Sequence, residues 1–332
     1  WTVPGLFSRG EYPCAQVISM NIDLQTFLQL PQAEFSALVA ESGPLVAVFP
    51  INGTRRWYLL KCLAGEVDVQ RQSYLQVMEE RHIAMYRLFY EQGVHTLLTP
   101  SFGPDLLDRG DDYLRLSIEG IARLVSEPHF LNFYDHFQVR VRFYGDYRRF
   151  LEATPYAWLI ERIDEISLRT AGHTRNRLFF GMFANDPSEQ LAAFGAQYFQ
   201  QHQQLPNRDT LVRLYYGEYV DPVSFFIGFD RLSAFDMPLL ATGSEDLYFT
   251  VSPSLELTAR QLREILYDHL YLRKTPEPDY ETLPTEALTW MANFYSENKE
   301  RTLGVGRLVG GIWYPQPGLT WPESTKESGG QA

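Results

Sequence analysis

The run Asn52-Gly53-Thr54-Arg55-Arg56 follows directly on the apolar residues 44–50. Its residue types suit an anion. A glycine lets the backbone come close to a ligand, and the free amides at the start of a following helix donate to negative charge. Arg55 and Arg56 add planar, permanently charged forks that match phosphate oxygens. The unusual member is Asn52. Chemistry on a diphosphate ordinarily places a carboxylate here, because Mg²⁺ takes one or two carboxylates together with substrate phosphates. Asn52 is also readable as a helix N-cap, for which asparagine is among the best residues. Paired arginines on a solvated face would give the same short pattern, so the run needs support from the rest of the chain.

The elements that would position it are legible around it. "PLVAVFP" (44–50) is a continuous apolar run, the mark of a buried parallel strand. Residues 94–102, 137–146, 176–186 and 246–254 read as further strands. Helical patterns lie between them at 113–126, 157–171 and 188–202. A two-part helix after the first strand ends near 85–93, with Gly93 as its stop. Asp23 is placed to cap a helix presenting Leu24, Phe27 and Leu28 on one face. This alternation predicts an α/β fold: an open, mostly parallel sheet with helices on both faces. Ligands in such sheets sit beyond the carboxyl ends of the strands, here 51–57, 102–109, 145–149, 185–189 and 250–254. One domain is expected over 20–315, preceded by a tail at 1–19 without clear period and followed by a disordered tail at 316–332.

Bulk properties narrow the function. The chain has 332 residues and a net charge of −12, which argues against nucleic acid as its main partner. Cys14 and Cys62 are too few for a disulfide framework or a thiolate zinc site. The histidines show no H-E-x-x-H spacing. No apolar run approaches the roughly 20 residues of a membrane span, and no signal peptide is recognisable, so a cytoplasmic protein is expected. Tyr and Phe are abundant; they fill a core, or line an apolar pocket whose ring faces stabilise a cation.

Several segments, taken in order, resemble one superfamily. "INGTRRW" (51–57) resembles the M-D-G-N-x-R-W loop of the cis-prenyltransferases, the undecaprenyl diphosphate synthase superfamily. "LLTPSFGPDLLDR" (97–109), "VRVRFYGDYRRFL" (139–151), "DPVSFFIGFDRLSAFDMPLLATGSEDLYFT" (221–250) and "ERTLGVG" (300–306) resemble later segments of the same superfamily. "GTRRW", "DLLDRGD", "FYGDY", "YYGEYVD" and "ILYDHLYLR" are more similar to its offshoot, the tuberculosinol (tuberculosinyl-adenosine) and kolavelool synthases.

The resemblance implies a cis-prenyltransferase-like fold and a bicyclic diterpenyl (C20) diphosphate substrate. Its C–O bond is ionised, and water capture of the allylic cation gives a tertiary diterpene alcohol. The alternatives are prenyl transfer to an acceptor such as adenosine, or a catalytically silent prenyl-diphosphate binder or dimer partner. The diphosphate would rest on Gly53, Thr54, Arg55 and Arg56, with Arg231 and Ser233 beside it; those last two read equally as a surface turn. Trp57, Phe225 and Phe229 would line the hydrocarbon pocket. Phe225 and Phe229 stand where chain-elongating relatives carry the arginine and glutamate of R-T-G-G-E, so a second diphosphate site and elongation are not expected. Asn52, Tyr74 and Arg56 are the catalytic candidates, Tyr74 as nucleophile orienter, cation stabiliser or simple packing residue. Mg²⁺ is implied, with Asn52 and Asp246 as its candidate ligands; Asp246 reads equally as a capping or strand-edge acid. A homodimer is implied too, with Arg301 to Gly304 near the partner's site. In the resembled families an aspartate stands at Asn52. Arg55, Arg56 and backbone donors then do the electrostatic work, or an aspartate-to-asparagine change has disarmed the enzyme, or the chain is a non-catalytic relative.

Overall fold

The computed structural model describes residues 22–68, 70, 72–103, 109–316 and 318–322; the expected tail at 1–19 and residues 323–332 lie outside them. Its strands are β1 (Val46–Val48), β2 (Thr96–Phe102), β3 (Val139–Tyr144), β4 (Asn176–Met182), β5 (Phe225–Phe229) and β6 (Asp246–Thr250). All pair in parallel in the order β3-β4-β2-β1-β5-β6. Successive strand residues point to opposite faces, so each strand divides between two cores. Ala47, Leu97, Phe180, Phe225 and Ile227 join one, while Val46, Val48, Leu98, Phe179 and Phe226 join the other. Covering both faces is why these strands read as unbroken apolar runs.

In chain order the helices are α1 (Leu24–Gln29), α2 (Gln32–Glu41), α3 (Thr54–Leu63), α4 (Tyr74–Glu91), α5 (Asp111–Ser126) and α6 (Pro128–His136). They continue with α7 (Tyr147–Glu152), α8 (Trp158–Arg169), α9 (Ser188–His202), α10 (Arg208–Tyr216), α11 (Ala259–Tyr267) and α12 (Thr285–Asn298). The Asp23 side chain caps α1 by accepting from the Thr26 amide, and Phe27 on that helix is buried. The two-part helix expected after the first strand is α3 plus α4, and α4 opens with a Ser73/Gln76 capping box.

Several elements go beyond the expected ones, α2, α6, α7, α10, α11 and α12 among the helices. β5 is a sixth strand, inserted between β1 and the edge strand β6. A short antiparallel hairpin, β7 (Gly306–Val309) and β8 (Ile312–Pro315), follows α12. Residues 318–322 fall within the tail expected to be disordered, but they lie along α12 instead. Thr320 exchanges hydrogen bonds with the Asn298 side chain, and Trp321 packs on Phe294.

Candidate diphosphate site

β1 ends at Val48, and the chain turns through Gly53 into α3. Gly53 has φ +76°, a left-handed value that favours glycine. Space requires it as well: a Cβ there would lie 2.7 Å from the Phe229 ring and 3.2 Å from Pro253 Cβ. The loops after β1 and β6 are stitched together. The Asn52 amide donates to Ser254 Oγ at 3.0 Å, and the Ser254 amide donates to the Asn52 carbonyl at 3.2 Å.

Gly53, not Asn52, is the N-cap of α3, so the capping reading of Asn52 is corrected. Asn52 is exposed. Among the described residues no side chain caps α3, and no acid stands in its first turn. Its amides and positive dipole end are therefore left for an outside anion.

The cradle's side chains are held from several elements. Arg56 Nη1 lies 3.3 Å from Asp230 Oδ2, and its guanidinium stacks 5.3 Å from the Phe229 ring centre. Arg55 stacks on Tyr113 of α5 at 5.2 Å, and Arg109 stacks on the same ring at 5.1 Å. Thr54 Oγ1 is 3.0 Å from the Tyr74 hydroxyl, tying the start of α3 to the start of α4. Burial pushes the Tyr74 phenol up, against a smaller opposing effect of its bond to Thr54, so Tyr74 is neutral at pH 7.

Below the cradle a cavity of about 170 Å³ opens between α4, α5 and the carboxyl half of β2. Ile51, Thr54, Tyr74 and Tyr113 are at its cradle end; Met78, Phe102 and Leu116 are among its apolar walls. Ligand cavities with apolar walls and a few polar groups are typical small-molecule sites.

Of the residues expected from sequence, Gly53, Thr54, Arg55, Arg56 and Tyr74 come together with Asn52 at this end of the sheet. The residues expected to line a hydrocarbon pocket lie elsewhere: none of Trp57, Phe225 and Phe229 lines this cavity. Trp57 is buried beneath α3, its Nε1 donating to Glu256 at 2.6 Å and its face covered by Arg81. Phe225 is core, packed on Tyr248 and His269, and Phe229 abuts Gly53. Arg231 and Ser233 form an exposed turn after β5, with the Ser233 amide donating to the Arg231 carbonyl.

Asp246 is corrected as a metal ligand. The register pairs Asp246 with Phe225, and Phe225 with Ala47, which puts it at the amino end of the sheet, away from Asn52. There it lies 2.6 Å from His269 Nδ1 and 3.3 Å from Arg273 Nη1. Burial pushes the His269 imidazole down, partly offset by Asp246.

Sequence reading missed Asp230, Arg109, Tyr113 and the polar residues deep in the cavity. Asp230 adopts φ +72°, a left-handed value that aspartate tolerates better than most non-glycine residues.

The sequence resemblance implies Mg²⁺, so the donor set matters. Among the described residues no three His, Cys, Asp or Glu side chains converge on a point. Among the described residues the cradle offers one neutral amide, Asn52, and one carboxylate, Asp230, that is already paired with Arg56. The described residues alone do not fit a protein-held Mg²⁺, which wants free carboxylate oxygen.

The architecture is that of the cis-prenyltransferases. Lavandulyl diphosphate synthase from Lavandula x intermedia, solved with dimethylallyl diphosphate, superposes with a TM-score of 0.55 at 13% identity, over 71% of this chain and 97% of that one. A probable undecaprenyl diphosphate synthase from Campylobacter jejuni superposes with a TM-score of 0.51 at 13% identity, over 72% and 99%. No family model matches the chain. Relatives in sequence are more specific. Tuberculosinyl adenosine transferase of Mycobacterium tuberculosis is 41% identical over 292 residues, 87% of this chain and 97% of that protein. The (+)-kolavelool synthase of Herpetosiphon aurantiacus is 23% identical, over 84% and 91%. The chain belongs to the tuberculosinyl adenosine transferase family, prenyltransferase-type enzymes on the cis-prenyltransferase fold.

Proposed function

We propose that this protein transfers a C20 prenyl group from its diphosphate to an acceptor nucleoside such as adenosine. The observation that carries the reading is the 41% identity to tuberculosinyl adenosine transferase along nearly the whole of that protein. The uncapped start of α3, with Gly53, Arg55 and Arg56 above a cavity, supports it.

The diphosphate docks on the first amides of α3 and on the two guanidinium groups. The C–O bond breaks and its electron pair leaves with the diphosphate. Charge growing on the leaving oxygens meets donors already in position, which is how preorganised sites lower such barriers. The hydrocarbon occupies the cavity between α4, α5 and β2. Tyr74, neutral and at the cradle end, presents a ring face to the allylic cation and a hydroxyl to the incoming nucleophile. A nitrogen lone pair of the acceptor then forms the new C–N bond.

Capture of the cation by water, giving a tertiary alcohol, is the second reading; the relationship to a kolavelool synthase favours it, at a lower 23% identity. A silent diphosphate binder is the third, motivated by Asn52. The apolar residues exposed on the C-terminal arm, Leu303, Leu308 and Trp321 among them, support a homodimer in which that arm meets a second copy.

The test is incubation with labelled bicyclic and linear C20 diphosphates, with and without adenosine, reading products by mass spectrometry. A prenylated nucleoside supports transfer, an alcohol formed regardless of adenosine supports hydration, and bound substrate without product supports the binder.

A further inference from the structure

A cavity meant for hydrocarbon alone should be apolar to its end, and this one is not. Tyr74, Met78, His82 and Tyr86 recur every fourth residue on α4 and line it in a stripe. His82 is eight residues beyond Tyr74, about 12 Å further along the axis at about 1.5 Å per residue. At that depth Glu79 is already satisfied, accepting from Arg123 Nη1 at 2.9 Å and pairing with His129 Nδ1 at 2.8 Å.

His82 is different. Its Nδ1 lies 2.7 Å from the Met78 carbonyl oxygen. A carbonyl only accepts, so Nδ1 carries the proton and Nε2 is an acceptor. Burial holds the imidazole below the usual histidine value and keeps it neutral at pH 7. Among the described residues no hydrogen bond reaches Nε2. Leaving such an acceptor against plain hydrocarbon costs about 1–3 kcal/mol.

We infer that the cavity takes an oxygenated C20 chain, whose hydroxyl, about 12 Å along α4 from the cradle end, donates to His82 Nε2. The inference rests on the prenyl-diphosphate reading above and narrows its substrate class. Thr99, buried on β2, and Tyr86 line the same cavity and add hydroxyl groups to its polar part. Sites built to hydrogen-bond a substrate hydroxyl discriminate strongly against the analogue lacking it.

The experiment is calorimetric binding of three probes to the wild-type chain, His82→Leu and His82→Gln. The probes are inorganic pyrophosphate and two unreactive C20 thiodiphosphates of one skeleton, with and without a distal hydroxyl. Pyrophosphate should bind all three proteins alike. The hydroxylated probe should bind wild type about tenfold or more tighter than its deoxy partner, the worth of one hydrogen bond. His82→Leu should erase that preference, and His82→Gln, which keeps an acceptor, should retain part of it. Equal binding of the two C20 probes to wild type overturns the inference and leaves an ordered water as the partner of Nε2. A preference that persists in His82→Leu overturns it too. Failure of wild type to bind pyrophosphate sinks the diphosphate reading itself, which separates the two failures. Should His82→Leu not fold, the wild-type comparison with His82→Gln still decides.

Discussion

Gly53→Ala is the perturbation whose cost follows most directly from the geometry. Two effects add. Alanine at φ +76° costs about 1–2 kcal/mol for its left-handed backbone. Its Cβ would also lie 2.7 Å from the Phe229 ring, where ordinary contact begins at 3.4 Å. That ring is buried and covered by Arg56, so moving it means leaving a rotamer well, about 1 kcal/mol more. The expected total is about 2–3 kcal/mol. Gly43→Ala is the control: Gly43 has φ +107°, but nothing lies within 4 Å of its would-be Cβ, so only the backbone effect applies. Urea unfolding of both variants measures the difference, and pyrophosphate calorimetry should show a loss of about tenfold in affinity for Gly53→Ala alone, as the cradle shifts with the ring. On a Phe229→Ala background the added cost of Gly53→Ala should fall toward that of Gly43→Ala, the 3.2 Å contact with Pro253 Cβ remaining. Equal costs for Gly53→Ala and Gly43→Ala in the wild-type background would refute the reasoning.

Other perturbations address the charges. Asn52→Asp supplies a free carboxylate at the cradle; turnover should rise at least about tenfold with Mg²⁺ and become sensitive to chelator, while pyrophosphate affinity changes little. An unchanged rate would mean that position 52 is not where the chemistry is limited. Asp230→Asn releases Arg56 from its half-exposed ion pair, so stability should move by less than about 1 kcal/mol. KM for the diphosphate should nevertheless rise several-fold in steady-state assays, because a loose guanidinium is poorly positioned. Acidification should weaken the fold. Burial depresses His82 and His269, so as pH falls through about 6.5 the unfolded chain takes up protons that the native chain refuses. Urea unfolding between pH 7 and 5.5 should show stability falling by up to about 1.4 kcal/mol per pH unit for each histidine, and a rise on acidification would contradict this.

Local patterns carried most of the fold. β1 and β2 read as apolar runs because both faces of the sheet are covered, and α1 was legible in its Asp23 cap. β5 is absent from the sequence expectation although Phe225–Phe229 is wholly buried, because so short an apolar run cannot be told from a buried helix segment by its pattern. α11 is absent from that expectation too, although a Thr258/Gln261 capping box marks its start.

The cradle was legible for a physical reason: a loop, a glycine and a helix start are consecutive in the chain. The cavity is assembled from β2, α4 and α5, and no local pattern says which faces of these meet. Asp230 matters only because β5 lies beside β1, an adjacency separated by most of the chain. Asp246 was misplaced for the converse reason, since only the strand register tells which end of the sheet a residue occupies.

The central claim is transfer to a nucleoside, and the most direct measurement is the ratio of pyrophosphate released to adenosine consumed as adenosine is varied at fixed C20 diphosphate. The account predicts a one-to-one ratio, with a prenylated nucleoside as the product and pyrophosphate release that climbs with adenosine. Pyrophosphate released at the same rate without adenosine, with a diterpene alcohol as the sole product, would contradict it.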